Sequence, residues 1–144
     1  MTTNLGFGLG LRPDHYEAIL ADRPAVGFFE ALTENYLVPG GKPLHYLDRI
    51  RAHYPIVLHG VSLSIGGGAP LSEPYSDKLA KLLARVDPPW FSDHLCWGGT
   101  TRLHAHELLP LPMNAPTVAH VVDRVKRVQD RFGVPFALEN GPRT

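Results

Sequence analysis

Cysteine is almost absent from this chain: Cys96 stands alone among 144 residues, so no intrachain disulfide can form. Charge is scarce as well, at 19% of residues, and the fourteen basic and fourteen acidic side chains cancel. That balance leaves no basic field to attract nucleic acid and no charged tail. No run approaches the roughly 18 consecutive apolar residues of a membrane span, and the N-terminus lacks the basic and apolar regions of a secretory signal. A cytoplasmic protein with neither a nucleic-acid nor a membrane partner is the expectation. The hydrophobic content of 44% is that of a folded globular chain with one modest core.

Against this background three short apolar runs stand out, because each ends on a side chain able to bind a metal. They are Pro55-Ile-Val-Leu-His59, Pro89-Trp-Phe-Ser-Asp-His94 and Pro135-Phe-Ala-Leu-Glu139. A brief apolar run bounded by proline and a turn reads as a buried parallel strand. Such a strand has no packing reason to finish on imidazole or carboxylate. Strands are therefore expected near 5–9, 27–32, 56–59, 91–94 and 136–139. Helical apolar spacing lies between them over 14–21, 43–54, 75–86 and 115–132.

Alternating strands and helices imply a parallel sheet with right-handed crossovers, either doubly wound or part of a β/α barrel. The connections at 60–70 and 96–113 are long and carry the unusual residues, which suits the C-terminal face of either fold. A complete eight-unit barrel needs about 250 residues, whereas the fifth strand here lies at the end of the sequence given. The expectation is a single partial barrel domain over 1–144, the N-terminal portion of a larger enzyme.

Alternation along a strand puts Val57 with His59, Ser92 with His94, and Ala137 with Glu139 on one inward face. Ile56, Leu58, Phe91, Phe136 and Leu138 then face helices. Neutral imidazole and ionised carboxylate together suit iron, zinc or manganese. Asp93 and Asn140 fall on the opposite parity and are assigned the orientation of a ligating side chain. Glu30 and Glu34, at the end of the second strand, are pocket candidates. His104 and His106 read as solvated loop residues, since their spacing could chelate only from an extended segment, and Cys96 reads as a structural thiol. Gly6-Phe-Gly-Leu-Gly10 lacks the third glycine of a dinucleotide fingerprint, which would fall at Leu11, so its glycines are read as allowing close packing.

Further motifs join these runs: Gly8-Leu-Gly-Leu-Arg12, Glu34-Asn-Tyr36, Leu58-His-Gly-Val-Ser-Leu-Ser-Ile-Gly66, Ser92-Asp-His-Leu-Cys-Trp97, Leu108-Leu-Pro-Leu-Pro112, Arg124-Val-Lys-Arg-Val-Gln129 and Leu138-Glu-Asn140. In this order they resemble the multinuclear non-heme iron-dependent oxidative enzymes over nearly the whole chain. The resemblance implies a TIM-type barrel like that of xylose isomerase, with two or three irons at its C-terminal mouth. It also implies oxidative modification of cysteine in a ribosomally made precursor peptide, presented by a partner protein. His59, His94 and Glu139 would be the ligands of the first half of the barrel. That family continues beyond Glu-Asn with more strands and ligands, where this chain reads Gly141-Pro-Arg-Thr144, so only part of the site is expected here. A divalent-metal isomerase or phosphoesterase on the same barrel type, and an inactive fragment, are the rival readings.

Overall fold

The computed structural model describes residues 4–99 and 104–141, with the side chains of 99 and 104–107 outside the description. Five strands, β1 (Gly8–Gly10), β2 (Phe28–Leu32), β3 (Ile56–His59), β4 (Phe91–Leu95) and β7 (Phe136–Asn140), form one sheet in that spatial order. Every neighbouring pair is parallel. Helices α1 (Tyr16–Asp22), α2 (Lys42–Arg51), α3 (Glu73–Val86) and α4 (Ala115–Phe132) connect them. Two strands, β5 (Trp97–Gly99) and β6 (His104–Leu109), pair antiparallel as a separate ribbon. None of the described helices is long and apolar enough to cross a membrane.

Helix boundaries follow local chemistry. The Ser72 side chain caps α3 by accepting from the Tyr75 N–H at 3.4 Å, and Asn114 caps α4 by accepting from the Thr117 N–H at 2.9 Å. Each helix has a proline within its first two positions, where a missing N–H costs nothing. Both stop on a residue in the left-handed region, Asp87 at φ 49° and Gly133 at φ 65°. The apolar stripes then face one way. Leu44, Leu47 and Ile50 of α2 and Leu79, Leu82, Leu83 and Val86 of α3 pack with Phe29, Ala31, Ile56, Leu58 and Phe91 of the sheet. At roughly 1.5–3 kcal/mol per fully buried large apolar side chain, this layer is the main favourable term holding the strands in register.

Those sheet residues share one parity, and the other parity carries the polar groups. Registered partners Leu32↔His59, His59↔Ser92 and His94↔Glu139 lie side by side on the second face. Val57, buried on that face, is outside the helix-side cluster.

Three expectations are corrected. The first strand lies at Gly8–Gly10, three residues beyond the expected start; just before it, the Phe7 carbonyl accepts from the Gly27 N–H at 2.8 Å. The segment 96–113, read as one long connection, contains the β5–β6 ribbon. His104 and His106 accordingly lie on extended backbone and not on a loop, with their side chains outside the description.

Two of the three left-handed helix caps, Gly133 and Arg23, make a matched test. Open space surrounds the position a Gly133 Cβ would take, so Gly133→Ala should cost about 1 kcal/mol through backbone conformation alone. Arg23, which ends α1 at φ 48°, pays the corresponding penalty already, so Arg23→Gly should gain several tenths of a kcal/mol. Denaturant unfolding midpoints that failed to move in opposite directions would contradict this reading of the helix ends.

Candidate metal centre

His59 closes β3, His94 lies near the end of β4, and Glu139 lies near the end of β7. The sheet sets them side by side because β4 pairs with both β3 and β7. His59 Nε2 is 3.0 Å from His94 Nε2 and 3.5 Å from Glu139 Oε2, and one ligand atom from each residue lies within 4.8 Å of the others. The two rings meet edge to face at 75°, with centroids 4.8 Å apart.

These spacings can be tested against a bound ion. One ion about 2.1 Å from two imidazole nitrogens at a right angle holds them about 3.0 Å apart, which is the separation found. Ligands on opposite sides of an ion are about 4.2 Å apart. At the outer limit of the spread, one ligand must draw in by a few tenths of an ångström. Glu139 can do so, since its side chain is 56% exposed against 14% for His59. Without an ion or a shared proton, two nitrogen lone pairs at this distance would repel each other. The donor set fits a divalent first-row metal.

Ser92 fixes the imidazole of His59. Its Oγ lies 2.8 Å from His59 Nδ1, and when the hydroxyl accepts from Nδ1–H, the Nε2 lone pair is free toward His94 and Glu139. The sequence placed Ser92 on the correct face but assigned orientation to Asp93 instead. Here the arrangement differs. Asp93 is fully buried on the opposite parity, and its oxygens accept from the backbone N–H of Leu63 at 3.1 Å and of His94 at 2.7 Å. Burial pushes its carboxyl up to about 7, partly opposed by backbone N–H groups and reinforced by the charge of Glu34. Asp93 therefore anchors the connection after β3 and the backbone of His94, without a hydrogen bond to either ring among the described contacts.

Glu34 does related work from the 3-10 turn Thr33–Tyr36. Its Oε1 accepts from the Val61 N–H at 3.0 Å and from the Tyr75 hydroxyl at 2.9 Å. Burial, then Glu34 and Asp93, push the Tyr75 hydroxyl upward, so it stays a donor. Gly60 leaves the space these groups occupy, since a Cβ there would stand 2.6 Å from Asp93 Oδ2. From the other side Arg124, buried against the loop, donates to the Ser64 carbonyl at 3.2 Å and to the Ala69 carbonyl. His120 Nε2 lies 2.9 Å from the Gly67 carbonyl oxygen. The loop after His59 is thus tied at several points. Sequence reasoning missed Ser92, Tyr75 and Arg124 as participants; their partners lie between 33 and 60 residues away, and no local pattern encodes such contacts.

Glu30 is exposed beside Val57, one step below Leu32 and His59 on the face that carries His59. Asn140 is exposed at the end of β7, registered with Leu95. Neither belongs to the three-ligand cluster. Cys96 is buried, and burial followed by the charge of Asp93 pushes its thiol up to about 11, which suits a structural and unreactive thiol.

A family model described as RiPP precursor modification enzyme MbnB/TglH/ChrH matches residues 6–143. Similar curated proteins include a UPF0276 protein of Anaeromyxobacter sp. (strain Fw109-5), 49% identical over 94% of this chain and 48% of its own length. Another from Caulobacter vibrioides is 47% identical over 94% of this chain and 49% of its own, and one from Neisseria gonorrhoeae is 40% identical over 92% and 48%. The chain spans about half the length of the curated relatives it matches.

If Ser92 selects the tautomer and direction of His59, Ser92→Ala in the full-length protein should weaken metal binding by about 10- to 100-fold, while Ser92→Thr largely preserves it. Competition against a metal-binding dye measures both; equal affinities for Ser92→Ala and the parent would remove Ser92 from this role.

Proposed function

The chain belongs to the RiPP precursor modification enzyme family MbnB/TglH/ChrH, and we propose that it forms the N-terminal part of an iron-dependent oxidase or oxygenase that modifies cysteine in a ribosomally made precursor peptide. The observation that carries this reading is the convergence of His59, His94 and Glu139 from three strand ends onto one point. Family membership supplies the substrate class. The five parallel strands follow one another in space without the reversal of a doubly wound sheet, which supports a partial TIM-type barrel with the ligands on its inner face.

The residues divide the work by position. His59 and His94 offer neutral nitrogen donors, and Glu139 offers a carboxylate that offsets part of the charge of a divalent cation. Bound iron would supply redox chemistry with dioxygen and a soft acceptor for a cysteine thiolate. Ser92 holds the His59 ring in the ligating tautomer. Asp93, Glu34 and Tyr75 hold the loop that follows His59, so a peptide entering over that loop meets a fixed wall. The apolar layer behind β2, β3 and β4 keeps the strand ends at their spacing. In the longer protein, the remaining ligands would come from the second half, and a partner protein would present the peptide.

Purifying the full-length protein without oxygen and measuring its metals tests the reading. Iron should be present, and His59→Ala and His94→Ala should each lower it by at least severalfold while leaving the helical circular dichroism unchanged. Iron content unaffected by both substitutions would exclude these ligands. Tight zinc or manganese with turnover of a sugar or phosphate ester, and no oxygen consumption, would favour the isomerase or phosphoesterase reading instead.

A further inference from the structure

Two glycines of β1 leave room for side chains from other positions. A Cβ on Gly8 would stand 2.5 Å from the Phe28 ring, so that ring fills the place of a Gly8 side chain. Over Gly10 the neighbour is Arg12, whose Nε lies 3.6 Å and Nη2 3.9 Å from where a Gly10 Cβ would stand. The guanidinium is thus folded back over the strand, on the face toward which Gly10 points. Leu11, between them, is 2% exposed and packs in the helix-side cluster, so Gly10 and Arg12 face the other way.

That second face is the one that carries His59, His94 and Glu139. Glu30 is registered with Gly10 on one side and with Val57 on the other. The Leu11 N–H continues the ladder by donating to the Glu30 carbonyl at 2.6 Å, and Arg12 keeps extended backbone at φ −115° and ψ 140°. Two residues beyond Gly10, Arg12 is therefore level with Leu32 and His59. Only β2 stands between β1 and β3, so the Arg12 and His59 backbones are about 10 Å apart at about 4.8 Å per strand spacing.

Arg12 is exposed, and no ion pair engages it among the described residues, its acidic neighbour Glu30 included. Other arginines are committed. Arg85, Arg127 and Arg131 engage carboxylates, and Arg23, Arg51 and Arg124 engage backbone carbonyls. A guanidinium presents parallel N–H donors that match the two oxygens of a carboxylate.

We propose that Arg12 binds a carboxylate of the precursor peptide near its cysteine, and so fixes how the peptide crosses the cluster of His59, His94 and Glu139. The proposal rests on the peptide-modification reading above. A span of about 10 Å equals about three residues of extended chain at about 3.3 Å each. The carboxylate therefore lies within about three residues of the cysteine, on a side chain or at the chain end.

Three fluorescein-labelled peptides test this by anisotropy on the full-length protein without oxygen. One has aspartate three residues to either side of a single cysteine and an amidated end; the second has asparagine at both places; the third is the asparagine peptide with a free end. At least one carboxylate-bearing peptide should bind about 10-fold tighter than the amidated asparagine peptide, an advantage that falls at high salt. Which of the two gains it identifies the source of the carboxylate. Arg12→Gln should erase the advantage, and Arg12→Lys should keep part of it as a point charge without the fork. Gly10→Val, whose branches would take the space of the guanidinium, should reduce the advantage with the charge unchanged. Arg12 is exposed, so the circular dichroism of its variants should match the parent. Equal binding of all three peptides, as an Arg12 held internally by Glu30 would give, or an advantage that survives Arg12→Gln, would overturn the proposal. His59→Ala should remove metal and leave the ratio between peptides intact, so failure of the metal centre appears in metal content alone. Binding of none of the peptides would sink the peptide reading and this inference together, whereas binding without preference would sink this inference alone.

Discussion

A parallel strand covered by helices must be apolar on the covered face, and its side chains alternate, so a polar side chain at the strand end has only the other face to occupy. That constraint organises this molecule. Phe29, Ile56, Leu58 and Phe91 are driven against α2 and α3 by burial, and this fixes the direction in which Glu30, His59, Ser92, His94 and Glu139 point. The cluster of His59, His94 and Glu139 is thus a by-product of core packing. The core sets the register, the register makes His59 a neighbour of Ser92 and His94 a neighbour of Glu139, and the site then needs only short side-chain reaches to close.

The polar network around the site protects that arrangement. Asp93, Glu34 and Tyr75 are costly to bury, and each finds partners in backbone groups or in one another. Two of those partners, the backbone N–H groups of Val61 and Leu63, belong to the loop that begins at Gly60. The loop is therefore tied to the same strand ends that carry His59 and His94. Arg124 and His120 extend these contacts from the loop to α4.

Much of this was legible in the sequence, for a physical reason. The strand-end residues interrupt apolar runs at the same point three times, and period-2 alternation is enough to place them on one face; α4 and β3 were readable to the residue because their apolar period is strong and their boundaries carry proline, glycine or a capping side chain. Where period is weak, reading failed. The β5–β6 ribbon pairs Trp97-Gly-Gly99 with a segment that begins His104-Ala-His106, and neither offers an apolar alternation. Asp93 had the right parity but the wrong partner, because parity gives a direction and not the atoms waiting there. Glu34 met Tyr75 and Val61 only through the tertiary fold.

The central claim is that His59, His94 and Glu139 hold iron. Anomalous diffraction from crystals of the full-length protein grown without oxygen, recorded on both sides of the iron absorption edge, tests it directly. A peak should rise across the edge, within bonding distance of the two Nε2 atoms and the carboxylate. No peak among these three residues, or one unchanged across the edge, would contradict it.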